Sequence, residues 1–206
     1  MRRRNKKLDL YIVAGLAIIT LGYFIYNHVS SEHRGVKAYS VAIESYKKAD
    51  YEKAYKEFGK VPSGSSLKAP ARFRQARCAT NLDKKELAIK KYNKIAHSGS
   101  KSSIVPISEY NMATLMLELK NPHAIKHFKH IIKNYPTSDY AIASKYYMGL
   151  IEAENLPKAG KRRQKAIEKS LANFKNYLEI APDGRFAMQS LQAILNLDTT
   201  LNNYDN

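Results

Sequence analysis

Lys48-Ala49-Asp50-Tyr51-Glu52-Lys53-Ala54, with Phe58 one turn further on, decides the fold. Ala54 and Phe58 return 34 residues later as Ala88 and Tyr92, and the small residue ahead of them, Ala42, returns as Ala76. The same comb recurs less regularly as Ala113, Ala124 and Phe128, and again as Gly149, Ser170 and Phe174. Two helices in antiparallel contact need a residue without bulk where their axes approach, and an aromatic beside it to fill the space. Each copy therefore predicts a helical hairpin that cannot hide its own apolar stripe and must stack on its neighbour.

The period and the order small, small, aromatic resemble the tetratricopeptide repeat over roughly residues 36 to 185, as does a Pro placed 8 residues after the aromatic at Pro136 and Pro182. The resemblance implies an all-α chain whose main body is an α-solenoid of about four hairpins. Pro182-Asp183-Gly184 is a turn signal, and Phe186, Leu191, Ile194 and Leu195 follow it at helical spacing, which predicts a C-terminal capping helix. The expected division is residues 1–30 as a basic stub and transmembrane anchor, 31–197 as the solenoid and 198–206 as a polar tail.

The anchor rests on Leu10 to Tyr26, 17 residues without a charge. As a helix this run covers about 25 Å, the lower end of what a bilayer core requires. Arg2, Arg3, Arg4, Lys6 and Lys7 precede it, whereas Asn27 to Glu32 contains no Lys or Arg. Cationic flanks stay on the cytoplasmic side, so the N-terminus is expected inside and the repeats across the membrane in a single pass. Tyr11, Tyr23, Phe24 and Tyr26 lie near the two ends of the run, where amphipathic rings favour the headgroup region. A cleaved secretory signal is the rival reading, with Val29-Ser30-Ser31 as a small-residue site. The apolar run is longer than such signals use and no Ala-x-Ala follows, which favours an uncleaved anchor. No Cys follows the run, so lipoprotein attachment is not expected.

The chain carries +17 at pH 7, and about +13 remains beyond the N-terminal segment. Such a charge draws anionic polymers or lipid headgroups. Richness in Lys, Ile, Asn and Tyr is also what an AT-rich genome produces, and nucleic acid is not expected as a partner. Gly149 and Ser170 stand 21 residues apart where Ala42 and Ala54 stand 12 apart, so residues are inserted around Leu156 to Arg163. Lys158, Lys161, Arg162 and Arg163 make this a basic loop, either a tolerated surface insertion or a binding face.

Little here suggests chemistry. Cys78 is the single cysteine and falls next to the apolar seam, where a buried, inert thiol is expected. His123, His127 and His130 project within about 60° of one another on one helix face. No carboxylate or Cys sits among them, and Lys126, Lys129 and Lys133 repel a cation, so a solvent-facing strip is expected and no metal. Ser/His/Asp sets, phosphate loops and Cys-x-x-Cys pairs are missing from the sequence. No catalytic residue, no cofactor and no enzyme activity are therefore expected.

In tetratricopeptide proteins the first helix of each hairpin lines a concave groove, and one lining position precedes the small residue by three. That carry-over makes Tyr39, Phe73, Tyr110 and Tyr146 candidates for partner binding, with Ile43, Arg77, Thr114 and Leu150 just after the small residues. Rings supply contact area at small entropic cost. They equally suit packing between repeats. The Lys and Asn clamp by which some chaperone-binding members hold a terminal carboxylate is missing.

Tyr135-Pro136-Thr137-Ser138-Asp139-Tyr140-Ala141, followed by Ala143, Tyr146 and Gly149, resembles the inter-repeat phrase of bacterial envelope proteins with these repeats. These are the outer-membrane assembly lipoprotein group, the Tol–Pal-associated coordinator and the ancillary translocon subunit, which has a single N-terminal anchor. The resemblance implies a membrane-anchored scaffold for protein–protein interaction in export, assembly or wall maintenance. Two other readings stand beside it. One is the non-catalytic helical N-terminal part of a larger envelope enzyme such as a lytic transglycosylase; the other is a basic module for anionic polymers or headgroups.

Overall fold

The computed structural model describes residues 6–98 and 103–202. Among them the only regular structure is helical: α1 (Lys6–Lys47), α2 (Tyr51–Gly59), α3 (Lys68–Asn81), α4 (Lys85–Ala96), α5 (Ile104–Glu118), α6 (Ala124–Asn134), α7 (Asp139–Glu154), α8 (Lys161–Ile180) and α9 (Ala187–Asn202). They belong to two compact units that divide within α4, after Lys91.

In the first unit α1 packs on α2 and α2 on α3. Ala42, Ala54, Phe58, Val61, Ala71 and Cys78 form its core. α1 runs unbroken for 42 residues. From Tyr11 to Val29 its large apolar side chains are more than half exposed, and the first buried residue is Ser31. This is the one helix among the described residues long and apolar enough to cross a membrane, a property that secretory signals share. The helix passes through the expected 30/31 boundary without a joint. Gly35, one turn further on, is used for close approach, since a Cβ there would collide with Ser65. The Glu32 carboxylate accepts hydrogen bonds from Ser65 Oγ (3.0 Å), Ser66 Oγ (3.2 Å) and the Ser66 amide, fastening the helix to the loop before α3.

The hairpin turns repeat atom for atom. Ala49, Asp83 and Lys120 each adopt a left-handed conformation (φ 59°, 54° and 54°). In each case the next amide reaches back five residues, from Asp50 to Ser45, Lys84 to Ala79 and Asn121 to Met116. This is the Schellman closure, which satisfies a carbonyl left over at a helix end. Asp50 then caps α2 by accepting from the Lys53 amide (3.1 Å). The fourth hairpin departs from this pattern. α7 ends at Glu154, and the left-handed residue comes only at Gly160 (φ 78°).

In the second unit α5 pairs with α6, α6 with α7, α7 with α8 and α8 with α9, while α5 also touches α7. The comb marks its core: Ala113, Ala124, Phe128, Ser170 and Phe174 are at most 1 % exposed. The inserted residues do not all become loop. α8 is 20 residues long where α2, α4 and α6 have 9, 12 and 11, so much of the insertion extends the helix at its start.

Candidate functional site

The four aromatic candidates are half buried, and three of their rings meet the aromatic of their own hairpin. Tyr39 meets Phe58 edge-on at 5.3 Å, Tyr110 meets Phe128 at 6.3 Å and Tyr146 meets Phe174 at 5.8 Å. The position three before the small residue therefore faces the aromatic of the partner helix in hairpins one, three and four. Phe73, on α3, is half buried. Ile43 packs on the first core, and Leu150 on the cluster of Ile167, Leu171 and Phe174. Arg77 is exposed and its guanidinium lies 5.8 Å from the Tyr46 ring, with Arg74 at 5.6 Å from the same ring. Thr114 donates to the Asn111 carbonyl (3.0 Å).

One of the cavities of the second unit, of about 310 Å³, opens beside the ladder. Tyr110 and Tyr140 line it together with Tyr177, Phe186, Asp139 and Arg185. Its apolar character comes from rings that support one another: Tyr146 stacks on Phe186 at 4.3 Å, and Tyr140 lies 5.5 Å from Tyr110. The cap is pinned in place by the Tyr177 hydroxyl, which accepts from the Phe186 amide (3.0 Å). Burial raises the pKa of the Tyr110 hydroxyl, helped by Tyr147, while Arg185 opposes the shift. Burial raises Tyr140 as well, Asp139 adding to it. Both phenols are thus neutral donors at physiological pH. Arg185 is exposed, 5.3 Å from the Phe186 ring, and brings a cation to the rim. Of the sequence candidates, only Tyr110 lines this cavity; Tyr140, Tyr177, Arg185 and Phe186 were missed as site residues. Tyr140 lies within the inter-repeat phrase and Phe186 in the capping helix, and neither residue's place in the sequence marks it as a cavity wall.

The histidine strip requires a correction. Glu109 of α5, 5 % exposed, reaches across to α6. One of its oxygens lies 3.1 Å from His127 Nδ1 and the other 2.8 Å from His130 Nδ1. The carboxylate that the local sequence lacks is supplied by the neighbouring helix, and His127 is largely covered while His130 is half exposed. Among the described residues no group of three or more His, Cys, Asp or Glu side chains is arranged to hold a metal. Burial pushes the Glu109 pKa up, but the hydrogen bonds from His127 and His130 and their charges outweigh it and hold it below the usual range. A depressed folded value stabilises the fold above the unfolded pKa of about 4.3, and that stability is lost as pH falls through the folded value. Glu109→Gln is therefore expected to lower the melting temperature at pH 6–7 and to converge on the parent in acid. Melting curves of both proteins across pH 3–7 check this, and a constant gap at every pH would contradict it.

The basic segment is also less free than its composition suggests. Lys161, Arg162 and Arg163 stand in the first turn of α8, and Lys158 is exposed in the preceding loop. Arg163 Nη1 donates to the Pro157 carbonyl (2.9 Å), so this side chain closes the loop on itself. Cys78 is fully buried, and burial raises its thiol to about 11, which leaves little thiolate near neutral pH.

The tetratricopeptide repeat family profile matches residues 108–138. This is the hairpin of α5 and α6 with the turn that follows. The match falls on the third copy of the comb, whose Tyr135-Pro136 closing phrase the two most regular copies lack. The chain thus carries a tetratricopeptide repeat in an all-helical fold, a module of protein–protein interaction. No curated protein matches the chain.

Proposed function

We propose that this protein is a membrane-anchored scaffold of the bacterial cell envelope, which holds another protein in the aromatic cavity of its second unit. The cavity carries the reading: it lies beside the matched repeat and combines ring walls, neutral phenol donors and a rim arginine. Such a surface suits a peptide that presents one large apolar side chain followed by a carboxylate. The apolar group would fill the space between Tyr110, Tyr140 and Phe186, and the carboxylate would meet Arg185. Anchoring through residues 10–26 is supported by the bare apolar length of α1, and the envelope setting by the resemblance of the Tyr135–Gly149 phrase.

A photo-crosslinking residue at position 140, in the full chain in intact cells, tests this. It should capture a discrete partner that the same residue at position 162 does not, and Tyr140→Ala/Arg185→Ala should lose functional complex recovery by at least about 30-fold, as interface anchors of this kind carry 2 kcal/mol or more. Capture from position 162 alone, with the cavity variant unaffected, would reject the cavity and favour the basic module.

A further inference from the structure

Among the described residues of the first unit, Lys68, Arg72 and Lys91 have no carboxylate partner. Lys68 and Arg72 are one turn apart on α3, and Gln75 continues the same face. Gln75 Nε2 donates to the Tyr55 carbonyl (2.9 Å), while its Oε1 accepts from Lys91 Nζ (3.2 Å), which also lies 5.1 Å from the Tyr55 ring. Lys91 is thereby drawn onto the α3 face. The Lys68 ammonium is half buried and donates to the Val61 carbonyl. Burial lowers its pKa, and the charges of Arg72 and Lys91 lower it further. The nearby acids are engaged elsewhere: Glu32 with Ser65 and Ser66, and Glu57 with Lys60 (2.7 Å).

The location gives the cluster its meaning. α3 begins where the loop before it packs on α1, with Gly64 against Ser31 and Ser65 against Gly35. Tyr26 ends the apolar run, and Glu32 lies six residues on, about 9 Å along a helix axis. The polar layer of a bilayer extends about 5–8 Å beyond each side of the hydrocarbon. A continuous α1 thus sets the start of α3 at the edge of that layer, with Lys68 lowest and Arg72 one turn above.

We propose that Lys68, Arg72 and Lys91 bind the phosphate of an anionic phospholipid in the leaflet facing the repeats. The proposal rests on reading α1 as a membrane span. Arg72 offers a planar fork and the two lysines compact charges, and the phosphate supplies the counter-charge that the protein does not.

The test uses the full-length chain in phosphatidylcholine bilayers containing a trace of spin-labelled phosphatidylglycerol or, separately, spin-labelled phosphatidylcholine. Phosphatidylglycerol should associate several-fold more strongly. Arg72→Gln alone, at an exposed position that leaves the fold intact, should reduce that preference about fivefold, the worth of one cation near a charged surface. Lys68→Gln/Arg72→Gln/Lys91→Gln should abolish it. Lys68→Arg/Lys91→Arg should retain it, as should the equal charge loss of Lys126→Gln/Lys129→Gln/Lys133→Gln on α6. Preference unchanged in the Lys68/Arg72/Lys91 triple variant overturns the site, as does inorganic phosphate binding to the cluster without any lipid preference. Alkaline carbonate extraction of cell membranes tests the anchor separately: release into the supernatant overturns both readings, whereas retention with equal association of the two lipids overturns the site alone.

Discussion

Gly149→Leu is expected to destabilise the protein by about 1–3 kcal/mol, the range for forcing bulk into a packed core. The physical reason is local and specific. A Cβ at this position would already stand 2.9 Å from the Phe174 ring, closer than real Cβ contacts come, and three ring atoms crowd it at once. Phe174 is fully buried in the core cluster with Ile167 and Leu171, so the ring has nowhere to retreat. His123→Leu is the control, since His123 is exposed and its side chain makes no capping bond at the start of α6. It should shift stability by less than about 0.5 kcal/mol. Denaturant midpoints of the full chain in detergent provide the comparison. Equal tolerance at the two positions would mean that the fourth hairpin is out of register with the others.

A larger loss is expected from Phe128→Ala, about 3–5 kcal/mol. Phe128 is fully buried, lies parallel to Tyr147 at 5.1 Å and receives the edge of Tyr110. Removing the ring deletes the centre of a stack that extends through Tyr110 and Tyr147 towards the cavity. The variant should lose stability and the cavity walls together, whereas Phe128→Leu should retain much of both. The unfolding midpoint is the primary measurement. A cost under about 1 kcal/mol would show that the aromatic marker of the repeat is not a packing anchor.

Much of the fold was legible because its markers report packing directly. Ala42, Ala54, Phe58, Ala76, Ala88 and Tyr92 are all at most 2 % exposed, as close helix approach requires. The hairpin turns were legible in position but not in mechanism: nothing about Ala49 or Lys120 advertises a left-handed residue. The orientation of the aromatic candidates was less legible. Tyr39, Tyr110 and Tyr146 were placed on the correct helices, but whether a half-apolar ring turns inward depends on what the partner helix offers, and Phe58, Phe128 and Phe174 take that edge. Glu109 illustrates the same limit for polar groups. It stands 18 residues before His127 and 21 before His130, and only the pairing of α5 with α6 joins them. The insertion before Ser170 was seen as surplus length, but the uninterrupted helical sequence after Gly160 sends it into α8.

The unbroken α1 carries a mechanical consequence. A transmembrane segment joined to its domain by a flexible linker can tilt without disturbing what it holds. Here the helix axis that would lie in the bilayer is the axis on which α2 and α3 are built, clamped by Glu32 and by the close contact at Gly35. An apolar run of about 25 Å is short for an average bilayer of about 30 Å, so the helix would stand near the membrane normal and the bilayer would thin around it. The first unit, clamped to that helix, would then be held close against the thinned bilayer, with no linker to let it move away.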